Sequence, residues 1–176
     1  MGVFSAFSLP IQGLKVGIHT YQYTLDASFF KLFEDSLVGE SELGVSVSLD
    51  KRYDMMILDF EMEGWIQTDC DRCSASIHLP ITSEQTLFVK YSEEKEEEED
   101  EVIFIHREAP ELNLAKYLYE FVVLSLPISN TYDCELEDPR PCNMEVLALL
   151  NSSNEDKDSP DGSSVWDVLK LSLIHI

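Results

Sequence analysis

Two stretches, Leu43–Leu49 and Met56–Glu63, alternate apolar and polar residues without a slip, and that period of two commits the chain to a fold built around a sheet. Leu43, Val45, Val47 and Leu49 take every second place, with Gly44, Ser46 and Ser48 between them. Met56, Leu58, Phe60 and Met62 repeat the pattern against Ile57, Asp59, Glu61 and Glu63. Successive side chains of a strand point to opposite faces, so each stretch reads as a strand buried on one face only. Lys51-Arg52-Tyr53-Asp54 lies between them and reads as the turn of an antiparallel hairpin.

The flanking sequence extends this sheet. Ile18–Leu25 is rich in Tyr, Thr and Ile and reads as a strand. Asp26 or Ser28 then caps a short helix carrying Phe29, Phe30, Leu32 and Phe33. Gly64-Trp65-Ile66 continues or bulges the second alternating strand and leads into Cys70-Asp71-Arg72-Cys73. Ile77, Leu79 and Ile81 alternate in a next strand, Leu87, Val89 and Tyr91 in a further one, and Val102–Ile105 is short and wholly apolar. Asn113 is placed to cap a helix over Leu114–Leu124, with Leu114, Leu118 and Phe121 on one face and Pro127 ending it. Met144–Leu150 reads as a last short helix. The sum over residues 1–150 is one α+β domain, a mostly antiparallel sheet able to curl toward a barrel, with two or three helices. Asn151–Ser164 reads as a polar, flexible tail within residues 151–170, closed by a short helix at Trp166–Lys170. The last six residues, Leu171–Ile176, are what the opening of a common transposase-type sequencing adapter encodes, and they read as adapter read-through.

Charge narrows the function. Thirty-four acidic residues against twelve basic ones give a formal net charge of −22. A field of that sign repels phosphate backbones, whose binding rests on Lys and Arg. An extensive direct grip on RNA is therefore disfavoured, and a basic protein partner is favoured, because complementary charge steers association. Plain solubility is the bland alternative. The densest run, Glu93, Glu94, Glu96, Glu97, Glu98, Glu99, Asp100 and Glu101, reads as a solvated, disordered loop over about 92–101 and as a candidate partner contact. No apolar run approaches the roughly 20 residues of a membrane span. Met1–Pro10 lacks the basic start of a secretory signal, so the cytoplasm is the expected compartment, and one acidic domain with a tail is expected to be a monomer.

The four cysteines fall into two pairs, a tight Cys70/Cys73 and a wider Cys134/Cys142. Three readings stand side by side. Four thiolates converging on Zn²⁺ would make a closed structural site. Reduced cysteines can instead pack as small hydrophobes. A redox C-x-x-C is the third, but such pairs start a helix after a parallel strand, whereas this one lies between antiparallel strands. His78 falls on the polar side of its strand, and His19 and His106 have no Ser or Cys nucleophile nearby in sequence. With no phosphate-binding loop, H-E-x-x-H or G-x-S-x-G, no catalytic residue is nominated and the chain is expected not to be an enzyme.

Gly64-Trp65-Ile66, Cys70-Asp71-Arg72-Cys73 and Leu79-Pro80-Ile81, in that order, resemble the central motif of the YceD family. The acidic interruption, the helix and Leu124-Ser125-Leu126-Pro127 resemble its second signature, and a cysteine-bearing loop follows both here and in the four-cysteine members. The resemblance runs from about Leu14 to Leu150. It implies a non-catalytic role in accumulation of 23S ribosomal RNA, and so in large-subunit assembly. Genes of this family often neighbour that of a small basic ribosomal protein, which fits a basic ribosomal protein or large-subunit assembly factor as partner. A zinc-stabilised interaction module unrelated to ribosomes is the alternative from another class, and a thiol-dependent redox enzyme the third.

Overall fold

The computed structural model describes residues 4–93, 101–131 and 139–155. Strands β2 (Gly17–Asp26), β3 (Ser41–Lys51), β4 (Met55–Asp69) and β5 (Ser76–Tyr91) run as an antiparallel meander, and β6 (Val102–Ile105) adds to β5 in parallel. A second, two-stranded sheet joins β1 (Ser8–Pro10) to β7 (Glu111–Asn113). The expected hairpin is β3–β4: Val45 faces Met62, Val47 faces Phe60 and Leu49 faces Leu58, all buried on the same side. Its turn is closed by the Arg52 N–H donating to the Met55 carbonyl at 2.9 Å and by an Arg52–Asp50 ion pair at 2.8 Å.

The long strands differ from their sequence reading in one respect. The two segments Ile77–Ile81 and Leu87–Tyr91 belong to a single sixteen-residue strand, β5, because nothing in Thr82-Ser83-Glu84 breaks the extended chain. Pro80 is tolerated there since β6 covers β5 only at Phe88–Tyr91, leaving the edge beside Pro80 open. The sheet does not curl into a barrel: β2 and β6 are its two edges and do not pair with each other.

Helix α1 (Ala27–Phe30) is a single turn whose first N–H groups are taken up by the Asp26 carboxylate, at 2.9 Å from Ser28 N and 3.3 Å from Phe29 N. It buries Phe29 and Phe30, and with Phe7, Phe33 and Tyr119 these form a ring cluster that includes a stacked Phe33–Tyr119 pair at 4.2 Å. Helix α2 (Ala115–Ser125) lays Leu118, Phe121 and Val122 on the inner face of the sheet, where Phe121 meets Phe60 edge-on at 5.0 Å. Such aromatic pairs are worth about 0.5–1.5 kcal/mol beyond their buried area. Asn113 accepts from the Ala115 N–H at 3.0 Å, although Leu114 occupies the capping position. Helix α3 (Met144–Glu155) runs five residues past Leu150, and Asn143 accepts from its Glu145 and Val146 N–H groups. The rest of the tail, including Trp166–Lys170 and Leu171–Ile176, lies outside the described residues. Among the described residues no helix is long and apolar enough to cross a membrane.

Candidate functional site

Two places carry the chemistry that the sequence singled out: the cysteine turn and the acidic surface. The turn joins β4 to β5. The Ser74 N–H donates to the Cys70 carbonyl at 2.7 Å and the Cys70 N–H to the Ala75 carbonyl at 2.8 Å, so the chain reverses within five residues. Ser74 sits at φ +54°, the left-handed conformation that such a reversal needs. Both thiols point inward, Cys70 at 3% and Cys73 at 2% exposure, among the core side chains.

A reciprocal clamp ties this turn to the segment after α2. The Asp71 N–H donates to the Asn130 carbonyl at 3.0 Å, while the Asn130 N–H donates to the Asp71 carboxylate at 2.7 Å. The Asn130 amide also donates to the Thr68 hydroxyl at 3.3 Å. The C-x-x-C turn is therefore tied to the chain just after the L-x-L-P segment, although the two lie more than fifty residues apart. Of the four candidate zinc ligands, Cys134 lies outside the described residues. Cys142 is half-buried against the core and disulfide-bonded, so it can donate a thiolate only when reduced. Cys70 and Cys73 fit the soft, buried donor pair that one half of a Zn²⁺ site requires. Among the described residues no cluster of three or more His, Cys, Asp or Glu is arranged to hold a metal ion.

With these features on one frame, the comparison with known families is decisive: residues 58–171, roughly two-thirds of the chain, match the family described as large ribosomal RNA subunit accumulation protein YceD. The chain belongs to the YceD family. The matched span begins in β4 and takes in the C-x-x-C turn, β5, the acidic run and α2. No curated protein and no solved structure matches the chain.

The acidity of this YceD-family chain is distributed in a way that the sequence alone did not show. Of the charge run, Glu93 and Glu101 are exposed at the two ends of a connection between β5 and β6, and the Glu101 carbonyl accepts from Phe88 N–H at 2.8 Å. Glu94, Glu96, Glu97, Glu98, Glu99 and Asp100 lie outside the described residues. A second acidic surface is the solvent face of the sheet. The register sets Gln22, Ser46, Glu61 and Glu84 in one row across four strands, and Thr24, Gly44, Glu63 and Thr82 in the next. These rows line an open groove of about 600 Å³. The half that the hairpin supplies is visible in the alternation. Glu84 is not visible there, because the sequence reads as two separate strands where one continuous β5 carries it opposite Glu61.

The described histidines are placed singly. His78 is exposed and stacked on Trp65 at 4.1 Å, His19 donates through Nε2 to the Lys15 carbonyl at 2.8 Å, and His106 Nδ1 accepts from the Glu108 N–H. Among the described residues three groups have displaced pKa values. Burial, with Tyr21 adding to it, pushes the Tyr23 phenol up to about 12. Burial also raises Tyr91, against the opposing effect of Arg107, whose guanidinium lies 5.1 Å from the ring centre. Hydrogen bonds from the Ser28 hydroxyl and from the Ser28 and Phe29 N–H groups hold the Asp26 carboxyl below the usual range.

Proposed function

We propose that this chain supports the accumulation of 23S ribosomal RNA in the bacterial cytoplasm, and that it does so without catalysis, by holding a basic ribosomal or assembly protein. The match to the family over residues 58–171 carries the ribosomal part of this reading. The charge carries the rest. A chain with a formal net charge of −22 opposes a phosphate backbone and attracts a Lys- and Arg-rich protein. On this reading the chain holds a basic protein until RNA, the stronger polyanion, takes it over.

The cysteine turn is proposed as a brace. Clamped to the segment after α2 and buried, Cys70 and Cys73 suit a structural role, with Zn²⁺ as the proposed ion and with Cys134 and, in its reduced form, Cys142 as the remaining ligands. The metal would stiffen the frame without taking part in a reaction.

Depletion of the protein, followed by measurement of 23S relative to 16S ribosomal RNA, tests the function directly. The expected result is a fall in the ratio together with co-sedimentation of the protein with precursor large subunits. An unchanged ratio refutes the proposal.

A further inference from the structure

The acid run is the conspicuous charge in the sequence, and the folded sheet offers a second acidic surface. On the solvent face of β3, Gly44 and Ser46 leave a low floor between Gln22 and Thr24 of β2 and Glu61 and Glu63 of β4. Glycine inside a strand costs about 0.5–1 kcal/mol relative to alanine. At Gly44 no local geometry requires it: its φ is not left-handed, and a Cβ there would meet nothing nearer than the Glu63 carbonyl at 3.7 Å. Inside a strand, glycine marks a bulge, a tight bend or a place where a ligand or another backbone comes close, and the low floor at Gly44 suits the last of these.

The carboxylates above that floor are also unusual. Glu61 and Glu84 stand directly opposite each other, an arrangement of like charges that destabilises a sheet. Neither they nor Glu63 has a hydrogen-bond or ion-pair partner among the described residues, where the one salt bridge is Arg52–Asp50. No Lys or Arg belongs to the two rows that line the groove. The fold therefore carries a repulsion that a cation from outside would relieve.

We infer that this groove, floored by Gly44 and Ser46 and walled by Glu61, Glu63 and Glu84, receives an extended Lys- or Arg-bearing segment of a protein partner. The groove, about 600 Å³ and open along the two rows, has room for the side chains of a short extended segment. The flat floor takes the main chain of the segment, and cationic side chains reach the three carboxylates. The inference rests on the proposed function, which it deepens by moving the contact from the acid run to the sheet.

The test uses the full chain and a labelled peptide of about a dozen residues alternating Lys or Arg with Thr, read by fluorescence polarisation at low and at physiological salt. A glutamate peptide and a single-stranded RNA of similar length serve as counter-probes. Binding of the basic peptide alone is expected, weakening as salt rises. The triple variant Glu61→Gln, Glu63→Gln, Glu84→Gln should lose about eightfold in affinity, since exposed ion pairs are each worth roughly a factor of two. Gly44→Trp should lose a similar amount at unchanged net charge, by filling the floor. Glu84→Gln alone should raise the melting temperature while lowering affinity, a pairing that a damaged fold does not produce. Replacing the acids of residues 93–101 with Gln should change affinity less than twofold.

Loss of binding in that last variant, with the groove variants unaffected, overturns the inference. Failure of the basic peptide to bind, or preference for the RNA, overturns it as well. Co-sedimentation with precursor large subunits, scored separately for the wild type, shows whether the proposed function falls with it.

Discussion

Replacing Gly64 with alanine puts a methyl group where the backbones of β3 and β4 leave no room for one. A Cβ there would lie 2.1 Å from the Glu42 carbonyl oxygen and 2.8 Å from the Leu43 Cα, whereas ordinary contact starts at 3.4 Å. The obstacle cannot swing aside, because Glu42 is paired on both flanks, with Asp26 and with Trp65. Gly64 is also at φ +158°, at the margin of what a side chain accepts. Backbone strain of about 1–3 kcal/mol and overpacking of about 1–3 kcal/mol together outweigh the roughly 0.4–1 kcal/mol that alanine gains by restricting the unfolded chain. The net loss is about 3 kcal/mol, which for a domain of this size lowers the melting temperature by about 6–12 °C. Gly39→Ala is the control: no atom lies within 4 Å of its Cβ and its φ is not left-handed, so it should be neutral or slightly stabilising. Thermal and urea unfolding followed by circular dichroism measure both. A Gly64→Ala protein that melts within about 2 °C of the wild type would refute the reasoning from close approach.

Three further outcomes are expected. Asp26→Ala should cost about 1 kcal/mol through loss of the α1 cap, and Asp26→Asn less. Because its folded pKa lies below the unfolded one, the stability that Asp26 contributes is present above its unfolded value of 3.8 and lost as pH falls through the folded value; unfolding across the acid range should show the wild type losing its advantage over Asp26→Asn. The Tyr23 shift has the opposite sense: its contribution is complete below the ordinary value of 10.0 and disappears as pH rises toward about 12, so Tyr23→Phe should resist alkaline unfolding better than the wild type, and a spectrophotometric phenolate titration reports the shifted group. Protein purified and kept reduced should carry close to one zinc per chain by elemental analysis, and Cys73→Ser should release it; metal-free protein with fully reactive thiols would remove the zinc reading.

The strands that can be read from the chain are those buried on one face. Val45, Val47, Phe60 and Met62 announce both their element and their orientation, since a slip of one residue would turn the whole set toward water. Asp26 as a cap and the helix around Leu118 are legible for a similar reason, as local chemistry decides them. Strands β1 and β7 are not legible: three residues each, one including Pro10, they have no period, and their pairing depends on Asn113 reaching the Phe4 carbonyl and the Ser8 hydroxyl across more than a hundred residues. The site divides along the same line. The C-x-x-C turn is visible as a motif, but its clamp through Asp71 and Asn130 is a long-range contact without a sequence signature. Glu61 and Glu63 are visible as a polar face, whereas the partner that makes their charge awkward, Glu84, comes from the register of β5.

The parallel pairing of β5 with β6 gives the acid run a mechanical duty apart from its charge. Tyr91 ends β5 beside Ile105, yet the chain next enters β6 at Val102, opposite Phe88. The connecting residues must therefore carry the chain back along the strand by three positions, roughly 10 Å at the usual rise per residue, before β6 can begin. A hairpin-length link would permit only an antiparallel neighbour. The register of the two strands thus sets a minimum length for this segment. A Gly-Ser replacement of equal length should leave the β5–β6 pairing intact, and shortening it to two residues should detach β6 from the sheet.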